Sequence, residues 1–596
     1  MKDSAMTAPM PPFQPLNLTQ IGEESARLLK EFSEKHGVAP HMGTYGSVTK
    51  AFMELAERMM RNPEKLIQMQ LDLYQQYLGL WANMAERMMG KAPQPLITPE
   101  SGDRRFKDDE WQQNMIFDYI KQSYLLASRW MLTNVRSVEG ELDKATAEKV
   151  DFYTRQFIDA LAPTNFPLTN PEVIRKTIET NGQNLVKGLQ NLLTDLERGG
   201  GKFVKIKTTD VSAFEVGKNI AATEGAVVFR NRMFELIQYT PKTPKVHARP
   251  LVILPPWINK FYILDMRPEN SFIRYAVEEC GLTVFIVSWK NPDASYRDVG
   301  FDTYMKEGAL EAVAQALAIT GEKDVNMIGY CIGGTMLAAT LAYMARKKDK
   351  RVHSATFFTT LMDFTEAGEL GVFIDEEQVE ALEERMQERG YLEGSEMAQT
   401  FSMLRANDMV WSFVVNNYLL GQDPFPFDLL YWNEDSTRMP FAMHSFYLRN
   451  MYLENNLAKP DKLTLLGEKI DIRQIETPIY MVSAKGDHIT PWTSCFRPLP
   501  SLKGDARFIL GNSGHVAGVV NPPAKAKGYY WAGAVKAGDT ADAWLAKQKQ
   551  TDGSWWPDWK AWIKDNSGAE VAARKPGGPK NPVIEAAPGS YVREKA

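Results

Sequence analysis

Two textures of hydrophobic patterning divide the chain. From about residue 22 to residue 90, apolar side chains recur at near-helical spacing, among them Met53, Leu55, Met59, Met60, Leu66, Met69, Leu73, Tyr77 and Leu80. This pattern predicts amphipathic helices. Their apolar faces either bury against one another in a bundle or meet a partner, a dimer mate or a hydrophobic particle, a use that adaptable methionine suits. The helical period continues over residues 111–135 and 139–161. It stops at Pro163-Thr-Asn-Phe-Pro167, where two prolines interrupt it, and resumes over residues 171–197. The run Gly199-Gly200-Gly201 then predicts a linker.

Beyond the linker, short β-branched and aromatic runs alternate with helical stretches. Strands are predicted at residues 226–229, 234–239, 251–254, 283–288, 325–328, 355–359, 479–483 and 507–510. Several are continuously apolar, as expected of strands covered on both faces, and their alternation with helices predicts a mainly parallel sheet. The rhythm is lost between about residues 364 and 455. A charged helix over residues 375–389 and aromatic-rich loops carrying Trp411, Tyr418, Phe425, Phe427, Tyr431 and Trp432 stand there instead. Lying between two sheet strands, this stretch reads as an insertion that caps the active site. The predicted organisation is an all-α N-terminal domain over residues 1–205, then an α/β catalytic domain over 206–596 with a cap at about 364–455.

Composition agrees with two domains and removes other classes. A chain of 596 residues exceeds what one core usually supports, and 44% apolar with 24% charged residues is ordinary globular usage. The net charge of -5 is dispersed, without the basic stripe of a nucleic-acid binder. Residues 1–15 are polar and proline-rich, a poor secretory leader, and no run of ~18 apolar residues predicts a membrane span. Three cysteines, Cys280, Cys331 and Cys495, argue against a disulfide framework and for a reducing cytoplasm. No Cys or His spacing points to a metal, and no cofactor is expected.

The chemistry concentrates at Gly329-Tyr330-Cys331-Ile332-Gly333-Gly334. A strand precedes it and a helix-prone run follows, so it reads as a Gly-x-nucleophile-x-Gly elbow with cysteine as the nucleophile. The flanking glycines are needed because the turn is tight, and the helix N-terminus behind Cys331 favours a thiolate. In such a fold the acid follows a late strand and the histidine follows the last one. Asp487 in Lys485-Gly-Asp487-His488 and His515 in Gly511-Asn-Ser-Gly514-His515 occupy those places. Asp265, Asp363 and His488 fit less well, and His36, His41, His247, His353 and His444 have no comparable context. His515 is expected to take the thiol proton and Asp487 to orient His515. The oxyanion would be held by the N–H of Ile332 and by that of Trp257 or Ile258, in the loop Pro255-Pro-Trp-Ile-Asn259.

With these residues in place, the sequence resembles the polyhydroxyalkanoate synthases. The resemblance runs from about residue 103 to the end. It is carried by Ala162-Pro-Thr-Asn-Phe166, Pro255-Pro-Trp-Ile-Asn-Lys260, Val287-Ser-Trp-Lys-Asn-Pro292, the Cys331 elbow, Asp487-His-Ile-Thr-Pro-Trp492, Ser513-Gly-His-Val-Ala-Gly518 and Ser554-Trp-Trp-Pro-Asp-Trp559. It implies an α/β-hydrolase fold with a cap insertion and the triad Cys331, Asp487 and His515. It implies polymerisation of (R)-3-hydroxyacyl-CoA with release of CoA, the acid often being assigned to activating the attacking 3-hydroxyl. The elbow box looks like that of the single-subunit class that prefers short acyl groups such as 3-hydroxybutyryl. Further implied are a homodimer, contact with the growing polyester and the granule surface, and phasin-type granule partners. Trp257 departs from the smaller residue usual there. A cysteine-nucleophile thioesterase of the same fold is the main alternative, and a granule-coating protein would leave the ordered triad unexplained.

Overall fold

The computed structural model describes residues 46–201, 204–525 and 527–596. Residues 22–45 of the region predicted helical from about 22 to 90, with His36, His41 and the proline-rich start, lie outside them. The chain divides into two compact units, one comprising the residues up to Asp210 together with Arg405–Phe425, the other Val211–Leu404 with Pro426–Ala596.

The first unit is helical. Its longer helices are α1 (Gly46–Met60), α2 (Pro63–Met88), α3 (Met115–Arg136), α4 (Lys144–Ala160), α5 (Pro171–Glu179) and α6 (Gln183–Arg198). Local caps explain breaks the periodicity did not show. Asn62 and Pro63 start α2, Asn114 accepts from the Ile116 N–H to start α3, and α5 and α6 separate at Asn181 (φ 54°) and Gly182 (φ 81°). Leu55 and Leu80 are buried as predicted, but Met53 and Met60 are exposed. Residues 405–425, read in the sequence as part of the cap, pack on α6. Gly188 lets the Tyr418 backbone approach so closely that a Cβ would collide with it. Asn184 donates to Leu419 O (2.7 Å) and Tyr418 Oη donates to Asp195 (2.7 Å). Much of this segment is wide-turn helix (407–411 and 414–419), where aromatic loops were expected.

The second unit is built on an eleven-stranded sheet. Its strands are β1 (Gly225–Arg230), β2 (Phe234–Tyr239), β3 (Leu251–Leu254), β4 (Val284–Trp289), β5 (Val325–Tyr330), β6 (Val352–Phe358), β7 (Ile479–Ala484), β8 (Ala506–Gly511), β9 (Tyr529–Val535), β10 (Gln550–Asp552) and β11 (Glu585–Ala586). The spatial order is β10-β9-β8-β7-β6-β5-β3-β4-β2-β1-β11. The central strands from β8 to β4 run parallel, while β9 and β10 at one edge and β2, β1 and β11 at the other are antiparallel. Strand alternation feeds two cores. Val252, Leu254, Phe285, Met327 and Phe357 face one layer; Leu251, Ile253, Ile286, Ile328 and Phe358 face the other. Burial on both faces is why these strands lack a polar side in the sequence. Helix α7 (Ile332–Lys347) follows β5. Within the stretch after β6, α8 (Glu376–Arg389, capped by Asp375), α9 (Gly394–Leu404) and α10 (Phe441–Tyr447) belong to this unit. Among the described residues no helix is long and apolar enough to cross a membrane.

Candidate active site

Strand β5 passes into α7 through a single residue. Cys331 stands between them at φ 51°, ψ −123°, a conformation that strains any side chain bearing a Cβ. Neighbouring hydrogen bonds hold it there. The Cys331 N–H donates to Phe358 O (2.9 Å), and its carbonyl accepts from the Gly334 (2.9 Å) and Thr335 (3.1 Å) N–H groups. The glycines each answer a distinct contact. A Cβ on Gly329 would lie 2.5 Å from Gly334 Cα, one on Gly333 would lie 2.5 Å from Leu254 O, and one on Gly334 would strike Thr360. The turn therefore closes only with glycine at all three positions. Cys331 is half-buried, whereas Cys280 and Cys495 are buried, and burial pushes both of those thiols up to about 12.

Asp487 follows β7 and His515 follows β8, so the parallel register of neighbouring strands delivers both to the same end of the sheet as the elbow. His515 Nδ1 lies 2.7 Å from Asp487 Oδ2. The carboxylate has no exposed surface, and every direction around it is used. Oδ1 accepts from the backbone N–H groups of Ile489 (2.9 Å) and Thr490 (3.0 Å), and Oδ2 also accepts from Thr490 Oγ1 (2.7 Å). Burial pushes the Asp487 carboxyl up, but the His515 charge and these hydrogen bonds outweigh it and hold it below its ordinary range. Burial pulls His515 down. The Asp487 carboxylate and the nearby Cys331 sulfur more than offset this, and the imidazole is pushed up to about 10. With Nδ1 engaged by Asp487, Nε2 is the nitrogen left for the thiol.

Ile332 opens α7, where a backbone N–H has no carbonyl within the helix to meet. The loop carrying Trp257 and Ile258 is pressed against the same turn, as the approach of Leu254 O and Pro255 O to Gly333 requires. Its carbonyls are held elsewhere: Pro255 O accepts from Trp289 Nε1 (2.9 Å), Trp257 O from Thr437 Oγ1 (2.8 Å) and Lys260 O from Trp432 Nε1 (2.7 Å). Of the alternatives weighed in the sequence, His488 adjoins Asp487 in the chain, and others are engaged with partners of their own. Asp265 accepts from Thr223 (2.5 Å) and Ser271 (2.6 Å), and Asp363 accepts from Thr365 and Asn455. His247 pairs with Gly568 O, and His444 is buried, which pulls it down to about 4.

Several neighbours were not singled out in the sequence. Thr490 is a further donor to Asp487. Tyr330 stacks on His515 (centroids 6.0 Å apart, 26° between planes). Tyr447 Oη lies 3.2 Å from Thr335 Oγ1 in the first turn of α7, and Tyr452 packs beside Tyr447 with ring centroids 6.1 Å apart. The Ser554-Trp-Trp box braces the loop beyond His515, with Trp555 and Trp556 donating to Gly518 O (2.7 Å) and Val519 O (2.9 Å). The aromatic content of the stretch after β6 was the signal for Tyr447 and Tyr452, and it did not say which rings pack near the first turn of α7.

The structure thus brings a half-buried thiol at the elbow, an imidazole pushed up to about 10 and a sealed carboxylate to the same end of the sheet, residue types suited to acyl transfer through the sulfur. The model of the poly-beta-hydroxybutyrate polymerase (PhaC) N-terminus matches residues 102–276, and that of the alpha/beta hydrolase fold matches residues 250–522. The chain is 48% identical over 552 residues to the poly(3-hydroxyalkanoate) polymerase subunit PhaC of Rhizobium meliloti, covering 92% of this chain and 89% of that protein. It is 48% identical over 550 residues to the poly(3-hydroxyalkanoate) polymerase of Methylorubrum extorquens (92% and 90% covered). It is 44% identical over 535 residues to the poly(3-hydroxyalkanoate) polymerase subunit PhaC of Cupriavidus necator (88% of each).

Proposed function

The chain belongs to the poly(3-hydroxyalkanoate) polymerase family, and from that premise we propose that it polymerises short (R)-3-hydroxyacyl-CoA, 3-hydroxybutyryl-CoA above all, through Cys331, His515 and Asp487. The observation that carries this reading is the Cys331 elbow at φ 51° at the same end of the sheet as a His515 whose Nδ1 is 2.7 Å from Asp487. His515 Nε2 takes the Cys331 proton, and the thiolate attacks the thioester carbonyl. The oxyanion is held by the Ile332 N–H and by that of Trp257 or Ile258. The C–S bond to CoA breaks, and the leaving sulfur receives the proton from His515. The 3-hydroxyl of the next monomer then gives its proton to His515 and attacks the acyl-enzyme, forming an ester and freeing Cys331. The elongated CoA thioester reloads Cys331, and the cycle repeats.

Granule attachment is assigned to the N-terminal unit. On α2 the exposed side chains Ile67, Leu71, Tyr74, Leu78, Trp81 and Met88 fall at spacings of three, four and seven, one apolar stripe along the helix. A polyester surface is apolar, and covering it would take this stripe out of water.

The test is incubation of the pure protein with (R)-3-hydroxybutyryl-CoA while free CoA and turbidity are followed. CoA with insoluble polyester is the expected result. CoA with free 3-hydroxybutyrate would move the assignment to a thioesterase, and no CoA at all would sink it.

A further inference from the structure

We propose that Trp257 sets the acyl-length limit of the site, its indole closing the space into which the 3-alkyl group of a thioester held at Cys331 projects; this rests on the acyl-transfer reading above. Three features converge on it. The loop that bears Trp257 is locked against the elbow, with Leu254 O and Pro255 O 2.5 and 2.7 Å from where a Gly333 Cβ would stand. Hydrogen bonds at Pro255 O (2.9 Å) and Trp257 O (2.8 Å) fix its course, so the indole cannot swing away with its backbone. The ring itself is 3% exposed and caged by Phe301 (6.4 Å), Tyr304 (5.8 Å) and Tyr447 (5.6 Å between centroids).

Tyr447 ties this cage to the reacting sulfur. Its hydroxyl is bonded to Thr335 in the first turn behind Cys331 (3.2 Å), and Tyr452 packs beside it with ring centroids 6.1 Å apart. A thioester carbonyl pointing at the N–H groups of Ile332 and the 255–258 loop therefore presents its alkyl chain beside Trp257 and Tyr447. A methyl substituent needs little room there. Each further methylene must displace a flat, incompressible ring that other rings hold in place. The role of the side chain is separable from any oxyanion role of the loop, because every substitution except proline keeps the backbone N–H.

The experiment compares kcat/KM for CoA release from (R)-3-hydroxybutyryl-CoA and from (R)-3-hydroxyhexanoyl-CoA, two methylenes longer, in the wild type, Trp257→Ala and Trp257→Leu. The expected result is a hexanoyl-to-butyryl ratio raised by about tenfold or more, since one methylene in a tight pocket is worth roughly 10- to 200-fold in discrimination. Trp257→Leu keeps an apolar side chain in the cage and decides the matter should the alanine variant not fold. A ratio within twofold of wild type in a folded, active variant overturns the proposal, and so does an equal loss on both substrates. A wild-type protein that releases no CoA from either substrate overturns the acyl-transfer reading first and this inference with it.

Discussion

Replacing Asp487 with asparagine keeps the shape of the side chain and removes its charge, and the structure dictates how the amide must sit. Oδ1 of Asp487 accepts from two backbone donors, Ile489 N–H at 2.9 Å and Thr490 N–H at 3.0 Å. An asparagine can satisfy both only by keeping its oxygen there, which turns its NH2 toward Thr490 Oγ1 and His515 Nδ1. The Thr490 hydroxyl can rotate to accept. His515 cannot donate to an NH2, so its proton moves to Nε2, the atom that must receive the Cys331 proton. The base is then in the wrong tautomer and has lost the carboxylate that pushes it up to about 10. The corresponding substitution in a Ser-His-Asp triad lowers kcat by ~10^4, about 5.4 kcal/mol at 1.36 kcal/mol per factor of ten, and a loss of ~10^3–10^4 is expected here. Because Asp487 has no exposed surface and both its oxygens are engaged, it reaches substrate only through His515. Acylation of Cys331 and attack by the 3-hydroxyl should therefore slow together. Rapid-quench measurement of the first CoA released, set beside the rate of extension of a preformed acyl-enzyme, separates the two steps. A first release at wild-type rate with extension blocked would refute this reasoning and assign Asp487 directly to the hydroxyl.

Cys331→Ala should lose turnover by ~10^4-fold or more while folding normally, and Cys331→Ser should retain at most a trace. Cys280→Ala and Cys495→Ala should remain active, because both thiols are buried and pushed up to about 12; CoA release by the four variants decides it. The raised value of His515 links the site to stability. A group raised from 6.5 to about 10 contributes its full stabilisation below pH 6.5 and loses it as pH rises through 10. The Tm advantage of the wild type over His515→Gln should accordingly shrink between pH 6.5 and 10, and an advantage that grows would contradict the assignment. Leu78→Glu with Trp81→Glu, on the exposed stripe of α2, should reduce co-sedimentation with polyester granules while kcat/KM for soluble substrate stays within twofold. Unchanged sedimentation would return that stripe to plain scaffold.

The central strands were legible in the sequence because a strand buried on both faces must be apolar throughout, and β3 at Leu251–Leu254 can be neither a turn nor an amphipathic helix. The elbow was legible because a strand-to-helix turn with one intervening residue tolerates glycine and little else on either side. Asp487 and His515 were legible from position alone, each in a short polar run just past an apolar strand. Edge strands β9, β10 and β11 were not: they are partly exposed, Tyr529–Val535 mixes small and aromatic residues, and pairing to a neighbour rather than local preference makes them strands. Nor could the sequence divide the stretch after β6, since residues 405–425 join the helical unit through tertiary contacts with segments such as α6, more than 200 positions away. That His515 meets Asp487 at the sheet end where Cys331 stands, that Asp487 is hydrogen-bonded to Thr490, and that Trp257 and Tyr447 share one cage were decided by tertiary structure. Local sequence sets what each segment prefers to be, but the distance between two side chains depends on the packing of everything between them.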